Sequence, residues 1–143
     1  MNEFIDRVKF RVNIAGEALA IAVVQDYRTL EVLMVAFMNR NALEETLETE
    51  KMTYFSTSRE RIWIKGETSG NFQKVKEVKI DCDGDALLFK VEQKRAACHK
   101  GYYSCFFRTY ENGKVKLTGE RIFDDQRVYG GQSPTAKARG LVL

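Results

Sequence analysis

Glu17-Ala18-Leu19-Ala20-Ile21-Ala22-Val23-Val24-Gln25-Asp26 is a run of small and branched apolar side chains without glycine or proline, and it reads as a buried strand. Thr29–Phe37 repeats that composition, and the polar Gln25-Asp26-Tyr27-Arg28 between the two predicts a hairpin. Asn39-Arg40-Asn41-Ala42 then opens a short helix, with Asn39 as N-cap, Glu44 and Glu45 in the early turns, and Leu43 and Leu47 one turn apart. Beyond Lys51 the pattern is β again, over Met52–Ser56, Arg61–Lys65, Phe72–Ile80, Ala86–Glu92, Ser104–Tyr110 and Lys114–Thr118. The last two flank Asn112-Gly113, a strong short-range hairpin signal. The expectation is an α+β fold: a mainly antiparallel β-sheet with one or two short helices, in a single domain over residues 1–125. Past Gln126, glycines, Pro134 and basic residues predict a loosely ordered basic tail over 126–143.

Composition narrows the function classes. A chain of 143 residues that is 44% hydrophobic and 11% aromatic is not intrinsically disordered, and one proline with ten glycines excludes collagen-like architectures. The net charge of +3 falls short of the basic stripe of a dedicated nucleic-acid binder and suits a small anionic ligand equally well. The longest apolar stretches, Ala18–Val24 and Val32–Met38, are about seven residues each, against the roughly 20 a spanning helix needs. Met1–Asp6 is acidic and lacks an apolar core, so it is no secretory signal. Three cysteines cannot all pair within one chain, and sparse cysteines point to the cytoplasm and to ligand, nucleophile or core roles.

Asp81-Cys82-Asp83-Gly84-Asp85 gathers three carboxylates in five residues. They repel one another, and a hard divalent cation such as Mg²⁺, which selects oxygen ligands, removes the repulsion; a solvated acidic turn is the plain alternative. An EF-hand is rejected, because Ala86 stands where that loop needs glycine and both flanks read as strands. If the segment is extended, Asp81, Asp83 and Asp85 share one face and Cys82 points to the other, which separates an oxygen site from a sulfur site. Cys98 and Cys105 are the other cysteines, and His99, the sole histidine, abuts the first. Three thiolates and a water make an open tetrahedral zinc site that activates water; with His99 as a fourth ligand the zinc is structural instead. Adjacent Cys98 and His99 chelate one ion awkwardly, which leaves His99 for proton transfer. In Ser56–Gly70, hydroxyls, glycine-freed amides and Arg59, Arg61 and Lys65 suit a phosphate, although surface-loop composition explains them equally well.

Together these segments resemble the phosphoribosyl-AMP cyclohydrolase family of histidine biosynthesis. The resemblance is carried by Val32–Asn39, Ser58-Arg59, Trp63-Ile64-Lys65-Gly66-Glu67-Thr68-Ser69-Gly70, Asp81–Asp85, Ala97-Cys98-His99 and Ser104-Cys105-Phe106, over roughly residues 15–125. It implies an intertwined homodimer in which Cys98 and Cys105, with Cys82 of the partner chain, bind one Zn²⁺ per chain, while Asp81, Asp83 and Asp85 bind Mg²⁺. It implies hydrolysis of phosphoribosyl-AMP, opening the purine ring between nitrogen 1 and carbon 6 by a zinc-activated water. His99 is then the candidate catalytic proton carrier, and Arg59, Lys65, Thr68 and Ser69 are candidate substrate-phosphate contacts. Two departures stand out: Tyr102 and Tyr103 lie where the family commonly has an arginine, and Phe37 lies where larger aromatics are frequent. Some relatives carry a fused pyrophosphohydrolase domain, and the short stretch after the match implies a separate polypeptide for that step. A non-catalytic RNA-binding module, stacking bases on Tyr102, Tyr103, Phe106 and Phe107, is the rival, opposed by the aspartate cluster and the modest charge.

Overall fold

The computed structural model describes residues 2–124. In chain order the elements are α1 (Glu3–Asp6), β1 (Val12–Ile14), β2 (Glu17–Asp26), β3 (Val32–Met38), α2 (Arg40–Thr49), β4 (Thr53–Ser56), β5 (Arg61–Ile64), β6 (Gln73–Ile80), β7 (Ala86–Gln93), β8 (Arg108–Glu111) and β9 (Lys114–Leu117). The main sheet runs β5-β4-β3-β2-β7-β6, with β1 also paired to β2, and every pairing is antiparallel except β2 with β7. The fold is thus the expected α+β domain with a mostly antiparallel sheet and two helices.

Alternation along β2 and β7 decides what faces the core. Ala22 pairs with Leu87 and Val24 with Phe89, so small side chains sit beside large ones in one buried layer with Ala20, Val91, Leu33 and Tyr54. The intervening positions face outward. There Val35, Val23 and Leu88 lie side by side across β3, β2 and β7, followed by Phe37, Ile21 and Ala86. These two apolar rows are only partly covered within the chain, and Val35 is 49% exposed.

The helix α2 begins as its sequence predicts, with the Asn39 side chain accepting from the Ala42 amide at 2.8 Å. It ends at Glu50, whose φ of 63° breaks the helical path. Its buried Thr46 hydroxyl donates to Ala42 O at 2.8 Å and accepts from Thr53 N at 2.9 Å, which ties α2 to β4. At the far hairpin, Asn112 and Gly113 both adopt positive φ, as a two-residue turn between twisted strands requires. Arg108, Tyr110, Val115 and Leu117 share one face of that hairpin, and Tyr110 is 80% exposed.

Three local expectations change. β3 begins at Val32 rather than Thr29, because Asp26 N bonds Glu31 O and Leu30 takes a positive φ, which makes the connection longer. Ser104–Phe107 is not strand: Cys105 N donates to Leu33 O at 2.7 Å and Ser104 Oγ to Val32 O at 2.8 Å, so this segment crosses the end of β3 instead of forming a ladder. α1 and β1 arise in a stretch with no clear period. The proposed tail over 126–143 lies outside the described residues. Among the described residues, no helix is long and apolar enough to cross a membrane.

Replacing Thr46 by Val keeps the volume but strands the Thr53 amide. The expected loss is about 1–3 kcal/mol of folding stability, measured by urea denaturation; an unchanged midpoint would show that this bond does not hold α2.

Candidate functional site

The segment after β7 is held at several points before it reaches β8. Ala97 N donates to Tyr103 O and Cys98 N to Tyr102 O, closing a tight loop whose apex includes His99, Lys100 and Gly101. Gly101 has φ +94°, and a Cβ there would lie 1.9 Å from Phe123 O, so no other residue fits without moving that strand of chain. Tyr103 OH donates to the Asp26 carboxylate and shares a 2.8 Å bond with Thr29 Oγ1, which fastens the loop to the end of β2. Burial raises the Asp26 carboxyl, but the Tyr103 hydroxyl, the amides of Arg28 and Thr29 and the Arg28 charge outweigh it and hold it below its usual value. Both tyrosines of this loop make contacts within the chain: Tyr102 stacks on Phe107 at 3.9 Å, and Tyr103 is the tether.

This loop brings Cys98 and Cys105 into hydrogen-bond contact, with Cys98 fully buried. The Cys105 thiol donated to Cys98 lowers Cys98 to about 6, helped by backbone donors and the Lys65 charge against the cost of burial. The same hydrogen bond, together with burial, pushes Cys105 up. Lys65, only 8% exposed, donates from Nζ to Ala97 O and feels both thiols. Burial lowers its ammonium and the two sulfurs raise it, with burial winning. Tyr54, whose hydroxyl burial pushes well above its usual value, also feels Cys105; it donates to Gln73 Oε1, and Gln73 in turn donates to Gln93 Oε1 at 2.7 Å and to Met34 Sδ at 3.4 Å. This buried amide chain escapes a reading of local sequence, since its members are far apart along the chain.

The aspartates converge by a different route from the one periodicity implies. Residues 81–85 form a turn, not an extended strand, in which Asp81 Oδ1 accepts from Asp85 N at 3.1 Å and Ala86 N at 3.2 Å. Gly84, at φ +79°, lets the backbone pass against Arg7 O, which a Cβ would approach to 2.9 Å. One oxygen from each of Asp81, Asp83 and Asp85 lies within 4.8 Å of the others, the geometry of a hard-cation site. Desolvation raises Asp81, but the amides of Ala86, Gly84 and Asp85 and a bond from Asp83 leave it below its usual value; Asp85 is raised by desolvation, then by Asp83. Arg11, which local sequence does not single out, caps the cluster, with Nε 3.2 Å from Asp85 Oδ2 and Nη2 3.4 Å from Asp83 Oδ2.

The two clusters are attached to β2 at different points, one at mid-strand and one at its end. The aspartate turn is attached at Ile21, whose amide donates to Asp85 O, and the cysteine loop is attached at Asp26. Five residues of strand separate them by roughly 16 Å. Cys82 is exposed on the aspartate turn and does not join Cys98 and Cys105; among the described residues, the aspartates are the one three-member group of metal-ligating side chains. Two soft sulfurs in contact suit zinc by their chemistry, and three clustered carboxylates suit Mg²⁺.

His99 follows Cys98 and is half-buried. Arg59 is exposed in the β4–β5 turn, while Thr68 and Ser69 lie beyond the other end of β5. The strand parts these phosphate candidates, and Lys65 turns inward from them. Beside Thr68 and Ser69, the Asn71 Oδ1 is buried and accepts no hydrogen bond. Of the four aromatics in the RNA-binding alternative, Phe107 is buried under Tyr102 and Tyr103 is tethered, which leaves Phe106 as the well-exposed ring.

A compact α+β domain with separate sulfur and carboxylate clusters, each pre-shaped by its own loop, has the equipment of a small metal-binding enzyme. The chain belongs to the phosphoribosyl-AMP cyclohydrolase family, whose model matches residues 34–107. It is 54% identical over 125 residues to the phosphoribosyl-AMP cyclohydrolase of Methanothermobacter thermautotrophicus, covering 86% of this chain and 91% of that one. It is 59% identical over 113 residues to the phosphoribosyl-AMP cyclohydrolase of Methanocaldococcus jannaschii, covering 79% and 87%. It also matches a histidine biosynthesis bifunctional protein of Thermoanaerobacter pseudethanolicus at 51% identity over 111 residues, 78% of this chain and 51% of that one.

Tyr103→Phe removes the tether and one of the groups that depress Asp26. Because the native carboxyl is depressed, its stabilisation is complete above the unfolded aspartate value near 4 and fades as pH falls through the native value. The variant is expected to lose about 1.5–3 kcal/mol at neutral pH, and the gap from wild type should narrow in acid. Denaturation curves across pH check this; a gap that stays constant into acid removes Asp26 from the explanation.

Proposed function

We propose that this chain hydrolyses phosphoribosyl-AMP in the third step of histidine biosynthesis, in the cytoplasm, as a homodimer with two shared sites. The observation that carries the reading is the thiol pair Cys98–Cys105, pre-assembled beside buried Lys65, in a chain of this family. Water adds to carbon 6 of the purine, the bond from carbon 6 to nitrogen 1 breaks, and nitrogen 1 takes a proton. The phosphoribosyl group on nitrogen 1 makes it the better leaving atom, so the exocyclic nitrogen stays. Zinc on Cys98, Cys105 and Cys82 of a second copy would supply water activated near neutral pH, the chemistry also used to attack carbon 6 in adenine deamination.

The remaining roles fall to the chain's own groups. His99, next to Cys98, carries a proton towards nitrogen 1. Asp81, Asp83 and Asp85 would hold Mg²⁺, which would supply positive charge for orienting the substrate. The substrate has two phosphates, and the two hydroxyl and cation sets parted by β5 suit them: Arg59 at one end, Thr68 and Ser69 at the other.

The surface suits this assembly. The half-covered rows Val35–Val23–Leu88 and Phe37–Ile21–Ala86 form an apolar sheet face of the kind that pairs with a copy of itself. A two-fold packing of that face with strands antiparallel across it would set the Ile21 region of one copy nearer the Asp26 end of the other. Exposed Cys82 of each copy would then be carried towards the end of its neighbour's sheet where the cysteine loop is tethered. The exposed face of the β8–β9 hairpin, with Tyr110, Val115 and Leu117, adds apolar area for the same contact.

Purified protein should carry about one zinc per chain, and Cys82→Ser, Cys98→Ser and Cys105→Ser should each lose zinc and turnover of phosphoribosyl-AMP together. Asp83→Asn should weaken Mg²⁺ dependence with zinc retained; ejection of zinc would mean the two ligand sets are not independent. Mixing inactive Cys82→Ser with inactive Cys98→Ser chains should restore about half the wild-type activity per heterodimer, since one of its two shared sites is intact. No recovery after subunit exchange would confine each site to one chain.

A further inference from the structure

We infer that Lys65 is a positioning residue of the sulfur site: its buried ammonium, seated on the Ala97 carbonyl, holds the Cys98 loop in place and balances the thiolates' charge. This rests on the zinc reading above and deepens it.

Lysine is seldom buried without a partner, because removing an ammonium from water costs several kcal/mol. Lys65 is 8% exposed, and among the described residues none of the ion pairs supplies it with a carboxylate. What it touches is the Ala97 carbonyl and the Trp63 ring, whose centroid lies 5.8 Å from Nζ, and the two sulfurs lie within electrostatic reach. Its backbone is equally fixed: Lys65 N donates to Met52 O at 3.0 Å. The chain then turns away at Gly66, where a Cβ would lie 2.6 Å from Phe72 N. Thr68 and Ser69 therefore leave towards the surface while the Lys65 side chain goes inward. Held there, it is withdrawn from a solvent-facing phosphate.

The charge arithmetic fits this placement. A dication on three thiolates is net −1, and a buried net charge is costly unless a counter-charge stands beside it. One ammonium brings the cluster to neutrality. The bond to Ala97 O also acts on the residue just before Cys98, so it limits where that sulfur can sit. Groups that orient and neutralise a metal's ligands in this way typically change metal affinity 10–100-fold.

The test is the affinity of the metal-free full-length dimer for zinc, measured against a chromophoric chelator, together with the thiolate-to-metal absorption of the cobalt-loaded protein. Lys65→Met should weaken zinc 10–100-fold and shift the cobalt band, with circular dichroism and chain assembly unchanged. Lys65→Arg, which keeps a charge and a donor, should recover most of that affinity. Should Lys65→Met not fold, Lys65→Gln, which keeps a donor for Ala97 without the charge, carries the same measurement. Wild-type zinc affinity in the neutral variant, with only KM for phosphoribosyl-AMP raised, would overturn the inference and make Lys65 a phosphate contact. A wild-type protein that takes up no zinc would instead overturn the zinc reading, and this inference with it.

Discussion

Both ligand sets depend on the backbone ladder of β2. Its amide at Ile21 holds the turn that carries Asp81, Cys82, Asp83 and Asp85, and its last side chain, Asp26, holds Tyr103 and with it the loop that brings Cys98 to Cys105. β2 can serve as this ruler because it is bonded along both edges, antiparallel to β3 and parallel to β7. A one-residue slip against either neighbour would turn Ala20, Ala22 and Val24 outward and carry the wrong side chains to both loops. Burial of one alternating face therefore also sets the spacing between the sulfur and carboxylate clusters.

What local sequence reveals is what local energetics decide. The Asn39 cap, the Asn112-Gly113 turn and the runs of β2, β7 and β9 are each specified by a few neighbouring residues, and all appear in the structure within one residue of the reading. The parallel pairing of β2 with β7 has no such signature, since it joins residues 17–26 to 86–93. The aspartates show the same limit in miniature. Their proximity was legible from spacing, but the turn that achieves it depends on Gly84 passing under Arg7 and on Arg11 arriving from 72 residues away.

Charged residues were the least legible. Composition gives Lys65 the same standing as Arg59, two cations in a hydroxyl-rich segment. Only the three-dimensional path separates them, with Arg59 left at a hairpin tip and Lys65 drawn into the wall behind Cys98. Likewise Tyr102 and Tyr103 read only as a departure from the resemblance, until Asp26 and Phe107 supply their partners. Aromatics and long cations take their meaning from what packs beside them, and that information lies elsewhere in the chain.

The guanidinium of Arg11 on Asp83 and Asp85 has a kinetic and ionic consequence. The turn already pairs with a cation of its own chain, so part of its negative charge is balanced before any metal enters. Any ion that enters exchanges with Arg11 instead of filling a gap between three bare charges. Both arms of that pairing are at least partly solvated, so the exchange is shallow and salt-sensitive. Raising ionic strength loosens the resident cation as well as screening the incoming one, and occupancy of this cluster should respond to salt less steeply than that of an open carboxylate site.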